Sequence, residues 1–135
     1  MSDFPIIIHH NPACGTSRNV VAMVEAAGYA PKVELYLDRG WTADQIRDLA
    51  ARAGVPVRDL LRERGSPAAE LGLLEEGVSD DALVAAMVAH PILVNRPIVE
   101  TPKGVALCRP SEAVLDLLDR RPESFTKEDG EVVRL

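Results

Sequence analysis

Apolar residues fall into short runs set apart by polar stretches, and two different spacings divide the chain. Ile6-Ile7-Ile8 is too short for a helix and predicts a buried strand. His9 to Gly15 reads as a loop around Asn11-Pro12. A helix is expected from about Ser17 to Ala27, carrying Val20, Val21, Met23 and Val24, with Gly28 as a left-handed stop. Lys32 to Leu37 largely alternates polar and apolar positions, which predicts a second strand. Two strands about one helix make a βαβ unit, for which a right-handed crossover is the default.

The middle of the chain changes to a helical spacing. Thr42 with Gln45 forms a capping box and opens a helix to about Ala53, which Gly54 ends. Val57 to Arg64 predicts a second short helix. Ser79 caps a third, Asp80 to about Ala89, which Pro91 closes. Strand-like runs then return: Ile92-Leu93-Val94, and Ile98–Glu100 with Val105–Cys108 about a Thr101–Gly104 hairpin turn. Ser111 is expected to cap a last helix through about Leu118, and the polar tail from Arg120 predicts no element. This order predicts an α/β fold: a mixed sheet flanked by helices, with a helical insertion at about 42–90 after the first βαβ unit. It matches the thioredoxin-like architecture, and residues 1–135 are expected to form one domain.

Composition narrows the class. With 47% hydrophobic and 27% charged residues the chain is ordinary globular protein. The start has neither a basic n-region nor a long apolar h-region, and no run reaches the ~20 apolar residues of a membrane span. A cytoplasmic protein with no membrane association is expected, its two cysteines reduced. There is no CxxC pair or HExxH pattern, so no metal site is expected. The net charge of −6 argues against nucleic acid as a partner. It also means that an anionic substrate needs a local cluster of positive charge. Arginine, with its planar fork of donors, suits that task.

Candidate chemistry centres on Cys14. A thiol is a nucleophile only as the thiolate, from an unperturbed pKa of ~8.5. Cys14 precedes the expected helix, whose unpaired N–H groups and dipole favour negative charge. Gly15 allows a close backbone approach, Thr16 and Ser17 add hydroxyls, Arg18 adds charge, and His10 either pairs with the thiolate as imidazolium or shapes the loop. Most free cysteines are small buried hydrophobes. That bland assignment suits Cys108, at the end of an apolar strand, but not a loop cysteine between strand and helix. His9 and His90 likewise read as a loop residue and a helix-terminal residue.

Spacing excludes two thiol chemistries. A CxxC oxidoreductase needs a resolving cysteine where Ser17 stands, so any disulfide forms with an external thiol. A phosphatase-type C-x5-R loop needs arginine where Val20 stands. Arginines that hold an oxyanion must therefore come from elsewhere. Arg62 ends a helical segment, while Arg96 and Arg109 each follow an apolar strand and precede a proline.

These blocks carry a family resemblance. His10-Asn-Pro-Ala-Cys-Gly-Thr-Ser-Arg-Asn19, Leu60-Leu-Arg62, Glu70-Leu-Gly72, His90 through Ile98, Leu107 through Glu112 and Phe125 through Gly130 occur in order. Together they resemble the glutaredoxin-coupled bacterial arsenate reductase family over nearly the whole chain. His9 stands where a tyrosine is expected in that family, and the C-terminal tail is shorter than in some members. The resemblance implies Cys14 as nucleophile, His10 as helper of the thiolate, and Arg62, Arg96 and Arg109 as oxyanion ligands. Gly15, Thr16, Ser17 and a cis-proline at Pro97 support them. It further implies a monomer that reduces arsenate to arsenite with glutathione as co-substrate and glutaredoxin as partner, through a Cys14–arsenic adduct, with no bound cofactor. Two other readings compete. One is a redox adaptor or regulator of the same fold, with no use for an oxyanion cradle. The other is a monothiol glutathione-dependent transferase, which needs a peptide groove.

Overall fold

A computed structural model describes residues 4–119 and the strands Ser124–Thr126 and Val132–Arg134. The chain forms two compact units, Met1–Leu35 with Arg96–Leu135, and Tyr36–Asn95. In the first, β1 (Ile7–His10), α1 (Gly15–Ala26) and β2 (Lys32–Leu35) make the βαβ unit, with β2 parallel to β1. β3 (Ile98–Thr101) lies antiparallel to β1, and β4 (Gly104–Leu107) antiparallel to β3. The sheet order is therefore β2-β1-β3-β4, a mixed sheet. Its core joins Ile6, Ile8 and Val99 to Val20, Met23 and Val24 of α1. Val114, Leu115, Leu117 and Leu118 of the last helical segment complete it, and Cys108 is buried among them.

The second unit contains α2 (Tyr36–Arg39), α3 (Ala43–Ala53) and α4 (Asp80–Ala89), with 3-10 helices at Val57–Leu60 and Pro91–Leu93. Its helix ends follow local chemistry. The Thr42 hydroxyl accepts from the Gln45 N–H while the Gln45 side chain accepts from Thr42, and Gly54 closes α3 at φ 71. Ser79 caps α4 by accepting from the Ala82 N–H.

Several expected elements take other forms. β2 stops at Leu35 because Tyr36 turns into α2, where its buried hydroxyl donates to the Val94 carbonyl at 3.1 Å. The helix expected over 57–64 is a single 3-10 turn, since Leu61 is extended and forms an antiparallel bridge with Val94. That bridge is all the strand pairing Ile92-Leu93-Val94 retains. Pro91, at the first turn, sets this run into a 3-10 helix. The last helix is a 3-10 helix, Ser111–Leu117, whose N-cap is Pro110, and Ser111 makes no capping bond. β5 (Ser124–Thr126) pairs antiparallel with β6 (Val132–Arg134), where the sequence predicts no element. Of the Phe125–Gly130 block, 127–130 lie outside the described residues.

Candidate active site

The sheet register brings three sequence-distant segments to one end of the first unit. β1 ends at His10, and its His9 pairs with Ile98, at the start of β3. Ile98 in turn pairs with Leu107, the last residue of β4. The loop after β1, the residues before β3 and the residues after β4 therefore share one edge of the sheet. They carry Cys14, Arg96 and Arg109. Arg96 thus leads into a strand instead of following one, and the Arg-Pro pairs bracket the open end of a single hairpin. Both the Arg96–Pro97 and Arg109–Pro110 bonds are cis.

α1 begins two residues before the expected Ser17, and Cys14 is its N-cap, with extended backbone at φ −99 and ψ 121. The Cys14 carbonyl accepts the first helical bond from the Arg18 N–H at 3.0 Å. The Arg109 guanidinium lies across the sulfur: its Nη1 is 3.6 Å from Cys14 Sγ and donates to the Arg96 carbonyl at 2.9 Å. Arg96 itself is buried, whereas Arg109 is exposed. Burial alone pushes the thiol up. The Ser17 backbone N–H and the Arg96 and Arg109 side chains outweigh it, and bring Cys14 from 9.0 down to about 6. At neutral pH the sulfur is a thiolate beside two guanidinium groups.

The hydrogen bonds of the loop divide the work differently from the sequence expectation. The fully buried Ser17 acts on the sulfur through its main-chain N–H, while its hydroxyl accepts from the Asn11 N–H at 3.5 Å. Asn11, only 2% exposed, accepts from Ala13 and Cys14. In the sequence Asn11-Pro12 marks a loop and nothing more. The available signal was the preference for asparagine ahead of proline at the first positions of a turn.

His10 is buried, with an Nδ1 that makes no hydrogen bond among the described residues. Burial first, then the Arg18 charge, lowers its pKa below 6.5, so it is neutral at pH 7 and the imidazolium alternative is lost. His9 is a strand residue and not a loop residue. It is 5% exposed, and its Nε2 meets Glu100 Oε2 at 2.6 Å. Cys108 is fully buried, and burial with the Asp116 charge pushes its thiol up to about 12.

The sequence model of the ArsC family matches residues 9–117, which takes in every one of these positions. The chain belongs to the ArsC family. Arsenate reductase ArsI1 of Synechocystis sp. is 59% identical over 134 residues, covering 98% of this chain and 93% of that protein. An Escherichia coli arsenate reductase is 52% identical over 129 residues, covering 95% and 92%. The solved arsenate reductase from Vibrio cholerae superposes with a TM-score of 0.82 at 37% identity, covering 87% of this chain and all of that one. The ArsC thioredoxin-like fold is thus shared, with its mixed four-stranded sheet.

Within the ArsC chain, Gly15 and Thr16 open α1, and Pro97 is buried beneath Arg96 in the sequence order of the hairpin. Arg62 belongs to the second unit. Its N–H donates to the Leu93 carbonyl at 2.7 Å, its Nε to the Arg64 carbonyl at 2.7 Å, and its Nη1 to Asn95 Oδ1 at 3.4 Å. Among the described residues no helix is long and apolar enough to cross a membrane.

Proposed function

We propose that this ArsC-family chain is an arsenate reductase, an oxidoreductase that takes arsenate to arsenite at Cys14. Glutathione is its co-substrate and glutaredoxin its recycling partner, with no bound cofactor. The observation that carries this reading is the Arg109 guanidinium 3.6 Å from the Cys14 sulfur. A thiolate and a bidentate oxyanion ligand on one spot suit attack on a tetrahedral oxyanion. Relatives at 59% and 52% identity that carry the name arsenate reductase support the substrate.

In this reading, arsenate sits on the Arg96 and Arg109 guanidinium groups, which offset locally the chain's net charge of −6. The Gly15 and Thr16 amides of the first helical turn add donors. Arg62 is retained as a third oxyanion ligand on the family resemblance. His10, being neutral, accepts the Cys14 proton. The thiolate then forms a sulfur–arsenic bond as one arsenate oxygen leaves as water. Glutathione attacks the Cys14 sulfur, and the sulfur–arsenic electron pair stays with arsenic. Arsenic falls from As(V) to As(III) and departs as arsenite. The two oxidising equivalents remain in a Cys14–glutathione disulfide, because Ser17 offers no resolving thiol. Glutaredoxin attacks its glutathione sulfur and frees Cys14. We place this chemistry in the cytoplasm, on a monomer, supported by the reduced thiols the reaction consumes.

The test is a coupled assay. Purified protein with glutathione, glutaredoxin and glutathione reductase should consume NADPH when arsenate is added, and not when phosphate is. Absence of an arsenate-dependent rate in a working coupling system overturns the reading.

A further inference from the structure

We propose that Asn11 is a positioning residue for Cys14, its side-chain and main-chain oxygens holding the turn that sets the sulfur at the N-terminus of α1. The inference deepens the proposed function and rests on it only for the use made of the thiolate.

Four residues join β1 to α1, and their donors can be accounted for one by one. Pro12 has no N–H. The Ala13 N–H donates to Asn11 Oδ1 at 2.9 Å, and the Cys14 N–H donates to the Asn11 carbonyl at 3.0 Å. The loop's own donors are thereby turned away from the sulfur and spent on Asn11. The amides left for an anion begin at Gly15, in the first helical turn. Asn11 reaches across that turn as well, donating its N–H to Ser17 Oγ at 3.5 Å. Ser17 is the residue whose main-chain N–H favours the thiolate. One side chain, itself 2% exposed, thus ties together both ends of the segment that carries Cys14. Arg18 closes the arrangement from outside: its N–H donates to the Cys14 carbonyl at 3.0 Å, and its Nη1 to the Pro12 carbonyl at 2.7 Å.

An asparagine side chain suits this place for a specific reason. Its carbonyl oxygen mimics a backbone acceptor two residues before the donor it receives, the geometry of an Asx turn. It does so without charge, so the thiolate three residues away meets no competing anion. Pro12 and Ala13 are exposed, so the Ala13 N–H released by a truncation finds water. The turn loosens and the fold is kept.

The experiment follows the thiol and not arsenate turnover. Iodoacetamide alkylation of Cys14, read by mass spectrometry across pH, reports the thiolate directly, while Cys108 stays protonated. For Asn11→Ala the midpoint should move up by about one unit, which is about tenfold slower alkylation below it. Asn11→Ser, whose hydroxyl makes the same turn more weakly, should fall between the two. An unchanged midpoint in folded Asn11→Ala overturns the proposal. If circular dichroism shows that variant unfolded, an unchanged midpoint in Asn11→Ser overturns it instead. A shifted midpoint in a protein with no arsenate-dependent rate upholds the role of Asn11 and sinks the proposed function alone.

Discussion

Cys14 and Cys108 lie in the same compact unit, and both are buried, at 9% and 0% exposure. Burial is the largest influence on each and pushes both thiols up. At Cys108 only the Asp116 charge is added, in the same direction, and the thiol reaches about 12. At Cys14 a main-chain N–H and two guanidinium groups reverse the shift to about 6. The contrast is sharpest at Arg109. It follows Cys108 directly in the chain, yet its guanidinium reaches Cys14, 95 residues away. Burial therefore decides neither reactivity nor inertness. What separates the two thiols is the set of donors that the strand ends and the helix start bring to one of them.

The largest effect should come from removing either sulfur. Cys14→Ser should abolish arsenate turnover, a loss of more than about a thousandfold in kcat/KM. Cys108→Ala should keep kcat/KM and lose about 1 kcal/mol of stability from the small cavity it leaves in the core. Steady-state assays beside urea denaturation separate the two. Equal losses of activity would mean that both thiols take part, and the comparison would fail.

The same contrast marks what the sequence makes legible. Features decided within a few residues are readable: the Thr42–Gln45 box, the Ser79 cap and the Gly54 stop need no distant partner. Features decided across the fold are not. Whether Tyr36 continues a strand or starts a helix depends on Val94, 58 residues away, whose carbonyl accepts the Tyr36 hydroxyl. Val94 also takes its one bridge from Leu61, which explains why Ile92-Leu93-Val94 looks like a strand and is not one. At the site the residue types were legible, because a loop cysteine and arginines beside prolines stand out by position. The atoms were not. The Ser17 N–H in place of its hydroxyl, the neutral state of His10, and the Arg96 carbonyl that aims Arg109 all depend on contacts that spacing does not encode.

Next in size is the loss of the Arg109 guanidinium. Hydrogen bonds to charged groups contribute about 1.5–3 kcal/mol, so Arg109→Ala should lower kcat/KM for arsenate about 10- to 150-fold. It should also raise the alkylation midpoint of Cys14, since that guanidinium contacts the sulfur in the free protein. Arg109→Lys keeps the charge but not the fork, so it should restore part of the midpoint and less of the arsenate binding. The variant that would damage the comparison is one in which Arg109→Ala also makes Cys108 reactive. That would show the two environments to be one.

The smallest effect is thermodynamic, and its sign differs between the two thiols. The folded-state pKa of Cys14 is depressed, from 9.0 to about 6. Its contribution to stability is fully present above pH 9 and is lost as pH falls through 6, because the unfolded chain binds the extra proton in that window. The folded-state pKa of Cys108 is raised, from 9.0 to about 12. Its contribution is fully present below pH 9 and is lost as pH rises toward 12, where the unfolded chain releases its proton first. Urea midpoints measured under reducing conditions should show both trends against the matching alanine variants. The gap between wild type and Cys14→Ala should narrow from pH 9 down to pH 6. The gap between wild type and Cys108→Ala should narrow as pH rises from 9 to 10.5. Curves that stay parallel in both windows would mean that the donors around Cys14 do not hold its charge in the folded state. The contrast between the two cysteines would then reduce to accessibility.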